Sequence, residues 1–333
     1  MRGISIIVCT HNGSGRMKPV LEALFQLEKP AGLETEIIIV DNASTDGTGT
    51  FCISVVNGEK YTGTVTVITE VRPGLNFARL KGINTASFDW ILFCDDDNEL
   101  FPDYLVQAVR ILKQQPTAGA LGGCGIPRFE SVPPEWFERY SHSYAVGPQA
   151  EKDGLLVERP SELYGAGCLF YKPALLHWFE KGFTTVLTDR KGKQLVSGGD
   201  VEWCYLVQLA GYSLVYDSGL RFYHCISADR LQWPYYLRLK AGIAAGCARL
   251  IAYHAFFKVA KPSVFTFTSL YVIGLLKTTL IWLLFVLKRL FVPGAYKPET
   301  GAIGEVVLLS RMKAFWKDSW IAFHHFRQLK QFQ

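Results

Sequence analysis

An α/β fold built on a mostly parallel sheet flanked by helices is predicted by three observations. Short β-branched runs alternate with helical patterns through the first hundred residues. Polar, turn-rich segments follow the runs: Thr10-His11-Asn12-Gly13, Asp41-Asn42-Ala43-Ser44-Thr45-Asp46-Gly47 and Arg72-Pro73-Gly74. The fourth run, Trp90-Ile91-Leu92-Phe93-Cys94, ends in three carboxylates, Asp95, Asp96 and Asp97.

In order, residues 4–8 read as the first strand, 17–27 as a helix, 36–40 as the second strand and 65–69 as the third. Residues 76–85 give a helix, 90–93 the fourth strand and 100–113 another helix. Open parallel sheets bind ligands beyond the carboxyl ends of their strands, so the four loops are expected to converge. The middle, 115–225, is less regular, with strand-like 213–216 and 220–223. It also holds Ser197-Gly198-Gly199-Asp200-Val201-Glu202-Trp203, which opens a helix running to about 209 before Gly211 stops it.

From 234 the character changes. Residues 234–260 read as one long helix, and 264–287 is a run of 24 residues whose only formal charge is Lys277, long enough to cross a hydrocarbon core. A lysine at the centre of a span costs roughly 2.5 to 3.5 kcal/mol. Crossing, re-entrant, buried and oligomer-contact readings therefore all stay open. The tail, 306–332, sets Leu309, Met312, Trp316, Trp320 and Phe323 at helical spacing beside Arg311, Lys313, Lys317 and Arg327. Such a basic aromatic helix suits a headgroup layer.

The 333 residues are 49% apolar, ample for a core, which excludes a disordered chain. Net charge is +5, with Lys and Arg gathered around the apolar C-terminal stretch. That association points to a membrane surface and away from nucleic acid. Eight cysteines stand singly with no zinc-like spacing, as expected of small buried hydrophobes in a reducing compartment. The chain starts on a strand pattern without a signal-peptide profile, so a cytoplasmic catalytic domain is expected. No phosphate loop of the Gly-x-x-x-x-Gly-Lys-Ser/Thr type is present, which argues against a kinase-like phosphate binder.

A buried strand ending in carboxylates brings them together at a sheet rim, where a cation relieves their repulsion. Hard divalent ions, Mg²⁺ or Mn²⁺, take one or two carboxylates together with substrate phosphates. If Asp97 binds the ion, Asp95 is left to accept from a ribose. The triplet reads alternatively as an N-terminal cap for the helix expected at 100–113.

Four segments, ISIIVCTHNG (4–13), IIIVDNASTDGT (37–48), GLNFARLKGIN (74–84) and ILFCDDDN (91–98), resemble in order and spacing the family-2 glycosyltransferases of the nucleotide-sugar-binding GT-A fold, with similarity over about 1–225. The resemblance implies that Thr10 and His11, with Asn12, line the nucleobase and that Asp41 reads a uracil ring nitrogen. It sets Arg79 toward the diphosphate and Asp95 and Asp96 on the nucleotide. Metal ligation falls to Asp97 and, by analogy with many relatives, His224. The similar segment in the family usually reads Glu-Asp, its Asp acting as base; here Gly199 takes the Glu position, leaving Asp200 as the base with Glu202 a weaker substitute. Asp41 reads equally as a turn former, Arg79 as a solvated cation, Asp200 as a helix cap and His224 as a core residue.

The expected organisation is a GT-A catalytic domain over 1–225, with a nucleotide half at 1–115 and an acceptor half at 116–225. A connecting amphipathic helix (226–262), a membrane-associating segment (263–292) and a basic aromatic tail (293–333) follow. The resemblance implies an inverting, metal-dependent transferase (hexosyl or N-acetylhexosaminyl) on the cytoplasmic side of the inner membrane. It would move one sugar from a nucleotide sugar, UDP-linked by expectation, to a saccharide or lipid-linked acceptor in cell-surface polysaccharide or glycan synthesis. Processive synthases are disfavoured, because Arg230-Leu231-Gln232-Trp233 does not match their Gln-x-x-Arg-Trp motif. A polyprenyl-phosphate sugar synthase and a non-catalytic nucleotide-sugar-binding membrane scaffold are the alternatives.

Overall fold

The structure is a computed structural model and describes residues 1–58, 63–187, 198–292 and 298–332. The chain forms two compact units: Met1–His177 with Trp203–Leu231, and Trp178–Glu202 with Gln232–Gln333.

In the first unit β1 (Gly3–Thr10), β2 (Glu34–Asn42), β3 (Thr64–Glu70) and β4 (Trp90–Asp95) are parallel, in the order β3-β2-β1-β4. Helices α1 (Met17–Phe25), α2 (Thr48–Gly58) and α3 (Leu75–Thr85) connect them. β1 is buried along its whole length, which is why it reads as a continuous apolar run rather than an alternating one. Successive side chains enter opposite layers. Ile4, Ile6 and Val8 join Met17, Val20, Leu21 and Leu24 of α1 in the core. Ile7 faces α3 closely, since a Cβ on Gly82 would stand 2.5 Å from Ile7 Cγ2.

Past β4 the sheet becomes mixed. β8 (Leu169–Tyr171) runs antiparallel between β4 and β6 (Ala118–Phe129), β6 is parallel to β9 (Ser213–Ile226), and β5 (Asn98–Leu100) closes the edge antiparallel to β9. β7 (Gly154–Leu155) pairs with β9 off this path. Helices α4 (Tyr104–Gln114), α5 (Phe137–Tyr140), α6 (Lys172–Phe179) and α7 (Gly199–Leu209) complete the elements as far as β9.

Several elements differ from expectation. The helix expected from residue 100 begins at Tyr104, because residues 98–100 are taken by pairing with Phe222–His224 of β9 and Pro102 disfavours helix at Phe101. The two strand-like pieces at 213–216 and 220–223 are one strand. Helix α2 had no counterpart in the sequence reading; its Thr-Phe-Cys-Ile-Ser-Val-Val run looks strand-like, and Asp46 Oδ1 accepting from Thr48 N at 3.0 Å starts it as a helix. Ser197, expected to open α7, lies outside the described residues.

The second unit is helical: α8 (Trp233–Ala245), α9 (Cys247–Lys258), α10 (Val264–Phe291), α11 (Pro298–Lys317) and α12 (Ser319–Phe332). The single helix expected at 234–260 is broken at Gly246, and the tail helix is broken at Asp318, whose carboxylate accepts from Arg249 Nε of α9 at 2.8 Å. A capping box between Ser263 and Thr266 starts α10. Phe326 of α12 is fully buried, stacked on Phe267 at 4.9 Å and tilted against Phe256 at 5.6 Å. Among the described residues α10 alone is long and apolar enough to cross a membrane, with a mean hydropathy of 2.2 over its most apolar window.

Candidate active site

Carboxylates gather where β1, β2 and β4 end. Register sets Thr10 beside Asp41 and Cys9 beside Asp95, so acidic residues flank β1 on both sides. With neighbouring strands about 4.8 Å apart, the two flanking backbones are about 10 Å apart. The strand order also reverses at β1, the position at which open α/β sheets bind ligands. Burial pushes the Cys9 thiol up to about 12, so it is inert here.

On the β2 side the loops are tied to one another. His11 Nδ1 lies 2.8 Å from the Asn42 carbonyl, and Asn12 Oδ1 accepts from Thr45 N at 2.8 Å. Buried Asn42 donates to the Glu70 and Arg72 carbonyls and accepts from Gly74 N, tying the end of β2 to the loop after β3. Half-buried Asp41 accepts from Ser44 N, three residues on, at 3.3 Å, and a Cβ on Gly49 would stand 2.7 Å from its Oδ2.

The Asp triplet forms the turn between β4 and β5 and caps no helix. Asn98, with no exposed surface, holds the turn: its Nδ2 donates to Asp97 Oδ1 and its Oδ1 accepts from Asp95 N, both at 3.2 Å. Each carboxylate then meets a different arginine. Asp95 Oδ1 is 4.0 Å from Arg79 Nη2. Asp96 Oδ2 accepts from Arg16 Nη2 and from Thr10 Oγ1, both at 2.6 Å. Asp97 Oδ2 accepts from Arg230 Nη1 at 2.7 Å and lies 3.4 Å from His224 Nε2. Repulsion among three adjacent acids is relieved by three cations from distant segments.

Arg79 is not a solvated cation; it is 5% exposed, its guanidinium 5.5 Å from the ring centroids of Phe93 and Trp203. Arg16 and Asp96 form a pair that no motif announced. Arg16 also donates to the His11 and Asn12 carbonyls, fixing the loop assigned to the base. Gly13 admits this arrangement, since a Cβ there would stand 2.1 Å from Thr10 Oγ1. Arg230 reaches Asp97 from a short 3₁₀ turn, Ala228–Leu231.

No group of three or more His, Cys, Asp or Glu side chains converges as a metal cluster among the described residues. The Asp97–His224 pair nevertheless fits a divalent ion. Two ligands on one such ion stand about 3 Å apart, close to the 3.4 Å between Oδ2 and Nε2. His224 is 5% exposed; its Nε2 lies 3.3 Å from Arg230 Nη1, and its buried Nδ1 lacks a hydrogen-bond partner among the described residues. Diphosphate oxygens and water supply the remaining ligands of such ions.

Asp200 and Glu202 lie in the second unit. Asp200 stands in the first turn of α7 and accepts from Val201 N at 2.9 Å. Glu202 has no exposed surface. It accepts from Val186 N and Leu187 N, each at 2.9 Å, and from Tyr253 Oη at 2.6 Å, with His325 Nε2 at 3.4 Å. Burial, then Glu202, raises the Tyr253 phenol well above its ordinary range, and burial pushes the His325 imidazole down to about 3.

The family model described as glycosyl transferase family 2 matches residues 5–178. A glucosyl-dolichyl phosphate glucuronosyltransferase of Haloferax volcanii is 25% identical over 163 residues, 49% of this chain and 51% of its own length. An uncharacterised glycosyltransferase of Haemophilus influenzae is 32% identical over 114 residues, covering 34% of this chain and 35% of its own. The chain thus spans about half, or less, of these curated relatives. Among solved structures, the mannosyltransferase PcManGT of Pyrobaculum calidifontis, in complex with GDP-Man and Mn²⁺, superposes with a TM-score of 0.57 at 18% identity, over 94% of this chain and 87% of that one. Residues 1–349 of S. aureus TarS with UDP-GlcNAc give 0.52 at 14% identity, over 92% and 90%. At these identities the structural likeness shows the fold, which is GT-A. With the family model matching over half its length, the chain belongs to glycosyl transferase family 2.

Proposed function

We propose that this glycosyltransferase moves a single sugar, with inversion, from a nucleotide sugar to a saccharide or lipid-linked acceptor at the cytoplasmic face of a membrane. The observation that carries the reading is the flanking of β1 by Asp41 on one side and the Asp triplet on the other, across a span that suits a nucleoside diphosphate. Asp41 accepts from a ring N–H of the base, in a frame built by His11, Asn12 and Asn42. Asp95 accepts from the ribose, and Asp96 keeps Thr10 and Arg16 in place. Asp97 and His224 are the residues that would hold Mg²⁺ or Mn²⁺, which supplies charge neutralisation to the departing diphosphate. Arg79 and Arg230 add fixed positive charge around the triplet, so negative charge building on the leaving group meets preorganised cations.

Asp200 is the base in this reading. It takes the proton of the acceptor hydroxyl as that oxygen attacks the anomeric carbon, on the face opposite the breaking bond to the diphosphate. Glu202, saturated by internal donors, acts as a positioning residue that fixes the start of α7. A UDP-linked donor follows the UDP-GlcNAc complex of TarS, while GDP-Man in PcManGT keeps the base open to test. A lipid-linked acceptor is supported by the dolichyl phosphate named in the Haloferax relative and by the apolar helix α10.

The test is nucleoside diphosphate release from a panel of donors, with Mn²⁺ and membrane extract. Asp200→Asn is expected to lose roughly 10²- to 10⁴-fold in turnover while retaining nucleotide affinity. Asp97→Ala is expected to abolish the dependence of turnover on the ion. Unchanged metal-dependent turnover in both variants refutes the site.

A further inference from the structure

The stripe by which α10 meets the rest of its unit leaves a continuous apolar face uncovered. Buried Phe267, Tyr271 and Thr278 follow helical spacing along one side. Opposite them Leu276, Leu280, Leu283 and Leu287 are 46–63% exposed, with Phe265 and Leu290 beyond at 81% and 69%. At 100° per residue these six share an arc of about 80°, and Lys277 and Lys288 fall together on one flank of it.

A docked partner decides what this face can be. A Cβ on Gly274 would stand 2.8 Å from Phe315 Cζ of α11, and one on Gly304 of α11 would stand 3.2 Å from Phe285 Cε2. The second contact lies eleven residues along each helix in the opposite direction, so the two helices run antiparallel in close contact. Tyr271 Oη donates to the Phe315 carbonyl at 2.6 Å, and Arg289 pairs with Glu305 at 3.0 Å. In this register exposed Arg311 and Lys313 of α11 stand level with the middle of α10. Between Glu305 and Arg311, α11 rises only about 9 Å, far short of a hydrocarbon core of about 30 Å. A crossing α10 would therefore draw Lys277, Arg311 and Lys313 to the bilayer centre, or tear the hairpin apart. Lying flat, α10 puts its leucine face among the acyl chains and Lys277 and Lys288 at the headgroups, a placement that suits an anionic leaflet.

We propose that the α10–α11 hairpin is an in-plane, one-leaflet membrane anchor, the occupant of the exposed face of α10 being the acyl layer of an anionic leaflet. This rests on the membrane-associated reading above and commits it to a topology. The test uses the full chain in sealed membrane vesicles from expressing cells, with two variants that each add one cysteine to the native eight, Lys261→Cys and Lys288→Cys, at the two ends of α10. Each is labelled with a membrane-impermeant maleimide against the labelling of the parent chain.

Both ends are expected to react from one side only, the same side, and purified protein is expected to float with vesicles containing phosphatidylglycerol. Lys277→Glu and Lys288→Glu should each weaken flotation about fivefold or more. Labelling of the two ends from opposite sides overturns the flat topology and leaves membrane association standing. Failure to float, whether with a monomer or with a dimer that buries Leu280 and Leu287, overturns both.

Discussion

Three carboxylates in a row would repel one another strongly in a dry site, yet each is matched by its own arginine: Asp95 by Arg79, Asp96 by Arg16, Asp97 by Arg230. Neutralisation at this scale comes from positions 16 to 133 residues away in the chain, which a motif of adjacent residues cannot reveal. Asp41 depends in turn on a neighbour without a side chain. Its Oδ2 occupies the space a Cβ would take on Gly49, 2.7 Å away. Gly49→Val is therefore expected to displace the carboxylate and weaken nucleotide binding about tenfold, close to 1.4 kcal/mol, with little change in melting temperature. Calorimetric titration with nucleoside diphosphate measures it, and an unchanged Kd would remove Asp41 from the base-reading role.

Helix α7 shows how an element is held for its task. Its first turn carries Asp200, and two residues later Glu202 anchors it to the Val186–Leu187 backbone, to Tyr253 of α9 and beside His325 of α12. Glu202→Ala leaves two backbone N–H groups and a phenol without their acceptor. A loss of roughly 3 kcal/mol or more is expected in denaturant unfolding. The pH dependence has a definite sign. Glu202, Tyr253, Phe183 and Gln328 surround His325, and burial keeps its folded pKa near 3, below the unfolded value of about 6.5. Only the unfolded chain takes up this proton between those values, so stability is full above about 6.5 and declines toward 3, by up to about 1.4 kcal/mol per pH unit. Urea melts at pH 7.5 and 5 should show a smaller difference in His325→Gln than in the parent.

Across the whole molecule, the C-terminal helices are more than an attachment. Deleting residues from 264 onward removes α10, but it also removes Phe326 and Leu329 of α12, both fully buried, and uncovers Phe256, Tyr253 and Glu202. Loss of one buried phenylalanine costs about 3–5 kcal/mol. The 1–263 chain is thus expected to melt at a lower temperature and to lose transfer, while the first unit, with its own core, still binds nucleotide. Fluorescence-monitored melting with a nucleotide-binding assay separates the two effects; a truncated chain as active as the parent would show that α12 has no part in holding Asp200.

The parallel strands, the order of the loops and the candidate carboxylates were legible in the sequence, because buried strands and turn residues write local, periodic signals. The GT-A likeness rested on those same four segments. Where the triplet sits was decided by tertiary pairing, since β5 takes residues 98–100 that would otherwise enter a helix. Tertiary structure alone also turned Glu202 inward, set Arg16 and Arg230 on the acids, and laid α11 along α10. Those outcomes depend on contacts between residues far apart in the chain, about which composition, period and motif carry no information.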